Sequence, residues 1–171
     1  MTNMKTAFRA AAAAFVLLGL LSSARAETAL VLVRHGEKVD ESPDAELNDA
    51  GRSRARALAA ILKDAGIGAV YSTDYARTRE TARPTADAIS KPVEIYDGDG
   101  LEAFAKDLRA RGGRALVVGH SDTTPELVRL LGGAPGSPIA SDEYDRLYVL
   151  TLTDDGKTST TLLRFPTGVS K

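Results

Sequence analysis

Two histidines, His35 and His120, stand out as the scarcest reactive side chains in this sequence. Each follows an apolar run, residues 29–33 and 114–119 respectively. In a parallel sheet the carboxyl ends of the strands share one edge, and ligands bind outside that edge where the strand order reverses. Neighbouring strands would therefore bring both imidazoles to one crevice. The residues around them favour an anion. Arg34 puts a fixed cation beside His35, and Gly36 allows close backbone approach to a ligand. Arg77 opens a helix after the next strand, and two guanidinium forks suit the oxygens of a phosphoryl group. Backbone donors of the helix after His120, near Thr123 and Thr124, would add to this pocket. A neutral imidazole in such a cationic site is a nucleophile with phosphorus as its natural target.

The elements that must position these groups are legible in outline. Residues 29–33 read as a strand buried on both faces. Residues 34–46 form a polar loop, and Asn48 is a candidate N-cap for a helix over 50–65. On that helix Ala57, Leu58, Ile61 and Leu62 would face inward, and the cationic cluster Arg52, Arg54 and Arg56 would suggest a nucleic-acid face but for the flanking Asp49 and Asp64 and the negative overall charge. A strand follows at 68–71. Ser72 or Thr73 would cap the next helix, which runs to about residue 89 and is expected to kink or break at Pro84. Residues 92–96, 114–119, 147–152 and 158–165 complete the strands, the last two forming a hairpin around Asp154, Asp155 and Gly156. Residues 101–111 and 126–131 are further helices. The expected fold is α/β: a mostly parallel central sheet with helices on both faces and a C-terminal hairpin.

Composition narrows the function. The chain of 171 residues has 22 Lys+Arg against 23 Asp+Glu, a net charge of −1, and no Cys. Disulfides, thiolate metal sites and Cys nucleophiles are excluded. The charge gives no footprint for nucleic acid. Lys5 and Arg9, the uncharged stretch 10–21, and the tripeptide Ala24-Arg25-Ala26 read as a secretory signal peptide over residues 1–26. The alternative is an uncleaved anchor, although the apolar run is short for a membrane span. The expectation is an exported protein, periplasmic or secreted, whose mature part, 27–171, is one domain with no membrane span.

Three blocks resemble the histidine phosphatase (phosphoglycerate mutase-like) superfamily, in that family's order: Arg34-His35-Gly36, the segment Tyr71 to Thr78 running into Thr81-Ala82, and Gly119-His120-Ser121. The resemblance implies a phosphoglycerate mutase-like fold and a phosphatase that needs neither metal nor other cofactor. His35 would become phosphohistidine. Arg34, Arg77 and His120 would bind the phosphoryl oxygens, with Gly36 and Ser121 beside them, and Glu37 would orient the loop. The proton donor departs from the family pattern. Ser121 holds the place that an acid fills in one branch, and Asp122 comes one residue later. Asp97 and Asp99 lie near the place used in another branch. Asp122 is the preferred candidate, with capping of the following helix as its structural alternative. The short link between the third and fourth strands leaves no room for a large cap, so the pocket should be open to a small phosphorylated substrate. Phosphohistidine, phosphoprotein or lipopolysaccharide-sugar phosphatase activity is an alternative, as is an inactive phospho-ligand binding module. The oligomeric state is not legible.

Overall fold

Alternate side chains of the first apolar run enter two different cores, which is what burial on both faces means physically. In the computed structural model, which describes residues 28–166, strand β1 (Thr28–Arg34) sends Leu30 and Leu32 to one side and Val31 and Val33 to the other. The proposed signal peptide, residues 1–26, lies outside the described residues. After β1 come helix α1 (Asp49–Leu62), β2 (Ala69–Ser72), α2 (Ala76–Ala88), β3 (Val93–Ile95), α3 (Leu101–Arg111), β4 (Arg114–Gly119), α4 (Thr123–Leu130), β5 (Arg146–Leu152) and β6 (Thr158–Arg164).

The strands form one six-stranded sheet in the order β3-β2-β4-β1-β5-β6. The pairs β3–β2, β2–β4 and β4–β1 are parallel; β5 and β6 add antiparallel. Helices α3 and α4 cover one face through Leu101, Leu108, Leu127 and Leu131. Helices α1 and α2 cover the other through Leu58, Leu62, Ala82 and Ala86. The mostly parallel sheet, the helices on both faces and the terminal hairpin are as the sequence indicates. Among the described residues no helix is long and apolar enough to cross a membrane.

Several local expectations are corrected. Ile61 is 52% exposed, and the inner face of α1 is instead built from Gly51, Arg54, Ala55, Leu58 and Leu62. Helix α2 runs unbroken through Pro84, because Thr81, Ala82, Thr85 and Ala86 around it are buried and tertiary packing holds the segment helical. Neither Ser72 nor Thr73 caps α2; the Ala76 N–H donates to Asp44 Oδ1 (2.6 Å), a residue of the distant 35–47 loop. Helix α4 begins earlier than expected, at Thr123, with Asp122 as its cap at 2.7 Å and Pro125 tolerated in its first turn. Asn48 caps α1 as anticipated, accepting from the Gly51 N–H at 2.9 Å.

Candidate active site

The parallel register of β1 and β4 places Arg34 opposite Gly119, and the ladder continues one step further, with the His35 N–H donating to the Gly119 carbonyl at 2.9 Å. Backbone hydrogen bonds thus bring the two histidines together, with ring centroids 5.4 Å apart in an edge-on arrangement. His35 is almost wholly buried, at 4% exposed. Its Nδ1 lies 2.7 Å from the Gly36 carbonyl, so Nδ1 carries the proton and donates, leaving the lone pair on Nε2. Burial, and then the charges of Arg34, His120 and Arg77, push its pKa down to about 3 against the opposing hydrogen bond from Gly36. The imidazole is therefore neutral throughout the physiological range.

His120 is held by a directed chain of hydroxyls. Its Nε2 lies 2.9 Å from Thr73 Oγ1. Thr73 donates onward to Thr78 Oγ1 at 3.1 Å, and Thr78 donates to the carbonyls of Thr73 and Tyr75. A hydroxyl that donates to Thr78 must accept from the imidazole, so Nε2 of His120 is protonated. Burial and the Arg77 charge lower its pKa to about 4, with Asp122 pulling the other way. A dianion arriving nearby would raise that value and recruit the second proton.

Both guanidinium groups are fixed by backbone carbonyls and aromatic faces. Arg34, 7% exposed, donates from one terminal nitrogen to Ala140 (2.8 Å) and Glu143 (2.9 Å), and its Cζ sits 4.1 Å from the centre of the Tyr144 ring. Arg77 donates to the Pro43 carbonyl at 2.8 Å and stands 4.4 Å over Tyr75. The Nε atoms of both are buried without a protein partner, although both residues line the same cavity. An unmet buried donor costs about 1–3 kcal/mol, which a bound oxyanion would repay.

That cavity, about 810 Å³, is lined by Arg34, His35, Arg77, His120, Ser121 and Asp122 among others. Gly36 is the exception to the expected set. Its N–H is taken by Thr81 Oγ1 at 2.9 Å, and a Cβ there would stand 2.9 Å from the Gly51 backbone. Gly36 thus serves close packing of its loop on α1 rather than ligand approach. Glu37, next along, orients that loop through a bidentate pair with Arg54, as close as 2.6 Å. Arg54 also donates to the Phe165 carbonyl at 2.9 Å, so it belongs to the interior rather than to a cationic face. The 132–146 segment supports Arg34 through the Ala140 and Glu143 carbonyls and contributes no residue to the cavity lining. The roles of Thr73, Tyr144 and Arg54 in supporting the site were not legible from the sequence, because each acts through a partner remote along the chain.

The fold has clear counterparts. The structure of the protein histidine phosphatase SixA complexed with tungstate superposes with a TM-score of 0.62 at 21% identity, covering 81% of this chain and 96% of that one. Mycobacterial glucosyl-3-phosphoglycerate phosphatase gives 0.63 at 14% identity, with 84% and 100% coverage. These likenesses define a phosphoglycerate mutase-like α/β fold. The histidine phosphatase superfamily (branch 1) family model matches residues 30–98, a span that includes Arg34, His35 and Arg77. Phosphoglycerate mutase-like protein 4 of Arabidopsis thaliana is 39% identical over 88 residues, 47% of this chain and only 38% of that protein's length. Over residues 30–98 the chain is similar to the histidine phosphatase superfamily, and it shares its fold with these phosphatases.

Proposed function

We propose that the protein is a phosphatase that hydrolyses phosphate monoesters through a phosphohistidine intermediate on His35. The observation that carries this is the neutral His35, its Nδ1 proton committed to Gly36, facing a cavity where two buried Arg Nε donors lack partners. Arg34, Arg77 and His120 would hold the phosphoryl oxygens, with Ser121 at the same wall. Nε2 of His35 attacks phosphorus in line, and the bond to the leaving oxygen breaks. That oxygen takes a proton from the Asp122 carboxyl. Water then attacks the phosphohistidine, giving its proton to Asp122, and the N–P bond breaks to release phosphate and neutral His35. The guanidinium groups and His120 carry the charge balance, so the scheme needs no metal.

The test is hydrolysis of p-nitrophenyl phosphate with EDTA present, and ³²P capture on the protein. Wild type should turn over and hold an alkali-stable, acid-labile label; His35→Ala should lose both, with a rate loss of at least about a thousandfold. Equal rates in the two proteins would refute the reading. Phosphate binding with neither label nor turnover would instead mark a phospho-ligand binding module. Asp122→Asn should slow alkyl phosphates far more than p-nitrophenyl phosphate, whose leaving group needs no proton. A phosphohistidine substrate is a second reading, supported by the open cavity and the shared fold with SixA. Export through residues 1–26 is part of the proposal and places the substrate outside the cytoplasm.

A further inference from the structure

Above its cationic floor the cavity changes sign. The loop after β3 contributes Asp97 and Asp99, and the cap of α4 contributes Asp122, all three exposed and lining the cavity. Among the described residues neither Asp97 nor Asp99 has a Lys, Arg or His partner, whereas the Asp122 charge acts on Arg34 and His120. Asp97 Oδ1 accepts only the Asp99 N–H (2.9 Å), and Asp122 Oδ1 accepts the Thr123 N–H. The one lysine in the lining, Lys38, is engaged by Glu41 at 2.6 Å, and Asp74 is paired with Arg79. Beside the carboxylates stand two apolar surfaces that most proteins would cover: Tyr75 at 41% exposed and Ile95 at 51%.

An acidic rim alone would specify nothing. Here it lines the same cavity as Arg34, a guanidinium that is more than nine-tenths buried and has an unpartnered Nε, so an anion and its attached group must share this space. A cavity of about 810 Å³ also leaves ample room beyond a phosphoryl group. A leaving group with its own negative charge would meet like charges with nothing to offset them. A positively charged one would find the two free carboxylates of Asp97 and Asp99 beside the exposed apolar side chain of Ile95.

We infer that the preferred substrate is a zwitterion: a short alkyl phosphate whose leaving group ends in an ammonium, held by Asp97 and Asp99. This rests on the phosphatase reading above and deepens it.

A matched pair tests it. Phosphocholine and 3,3-dimethylbutyl phosphate have the same shape and differ in one charged atom. The expected kcat/KM ratio is at least tenfold in favour of phosphocholine at low salt, shrinking as ionic strength rises. Asp99→Asn should reduce the ratio severalfold, and Asp99→Lys should bring it to one or below. 2-Carboxyethyl phosphate should be the poorest of the three esters. Equal turnover of the matched pair, or a ratio that survives Asp99→Lys, would overturn the inference while leaving the phosphatase intact. So would hydrolysis of p-nitrophenyl phosphate alone. Loss of all turnover together with absence of label on His35 would instead sink the parent reading, and this one with it.

Discussion

Arg146 is where stability and the proposed phosphate binding meet, and its replacement by Met is a sharp test of that link. Its side chain is 5% exposed. It grips Glu143 with Nε (2.6 Å) and a terminal nitrogen (2.8 Å), and also reaches the Ser137 and Pro138 carbonyls and the Tyr148 hydroxyl. The Glu143 carboxyl, held by Arg146 and then Arg164, is driven down to about 2. Removing one member of a buried pair costs about 3–5 kcal/mol. Arg164 still serves Glu143 from the surface, so the lower end applies, about 3 kcal/mol. For a chain of this size that is a fall of roughly 10 °C in Tm. Arg164 contacts the same Glu143 but is 52% exposed, so Arg164→Met should cost under about 1 kcal/mol. Function should follow, because the carbonyls of Ala140 and Glu143 hold Arg34. Loosening that loop should raise KM for p-nitrophenyl phosphate about tenfold, the equivalent of about 1.4 kcal/mol. Calorimetry and steady-state kinetics well below Tm read both effects. Equal damage from Arg146→Met and Arg164→Met would refute the energetic argument. A destabilised Arg146→Met enzyme with unchanged KM would refute the coupling to Arg34.

Three further outcomes are expected. His35 and His120 have native pKa values near 3 and 4 against an ordinary 6.5, so the unfolded chain takes up protons there first as pH falls. Their contribution is intact above pH 6.5 and is lost as pH drops toward 4 and then 3; the urea midpoint should decline between pH 6.5 and 5, and flatten in His35→Asn/His120→Asn. Arg54→Met should cost about 3 kcal/mol by stranding Glu37, and adding Glu37→Gln should recover part of it in a denaturation double-mutant cycle. Thr73→Val should remove the anchor of His120 and lower kcat/KM about fivefold to tenfold, the worth of one hydrogen bond, whereas Thr73→Ser should restore it.

What could be read from the sequence follows a physical line. The two buried parallel strands were legible because an unbroken apolar run is a local signal, and with them came the placement of Arg34, His35 and His120 at one sheet edge. Arg77 followed from its position just after β2. The supports were not legible. Arg54 looks like its neighbours Arg52 and Arg56 until Glu37 is seen beside it. Asp44 caps a helix more than thirty residues away. Tyr144 backs Arg34 across more than a hundred positions. Pro84 misled for the opposite reason: its local penalty was clear, but the burial that outweighs it is tertiary.

The β1–β4 register has a consequence for how such a site can change. The separation of the two imidazoles is set by a ladder of main-chain bonds ending in His35 N–H to Gly119. Side-chain replacement in the surrounding loops leaves that spacing alone. A one-residue slip of the ladder would displace an imidazole by about 3.3 Å and turn it to the other face of the sheet, so intermediate geometries do not exist. Reactivity is in effect digital, whereas the rim formed by the loops after β3 and β4 can drift residue by residue. Transplanting those loops between proteins of this architecture should therefore exchange preference for the leaving group while the rate of phosphoryl transfer to the histidine travels with the sheet.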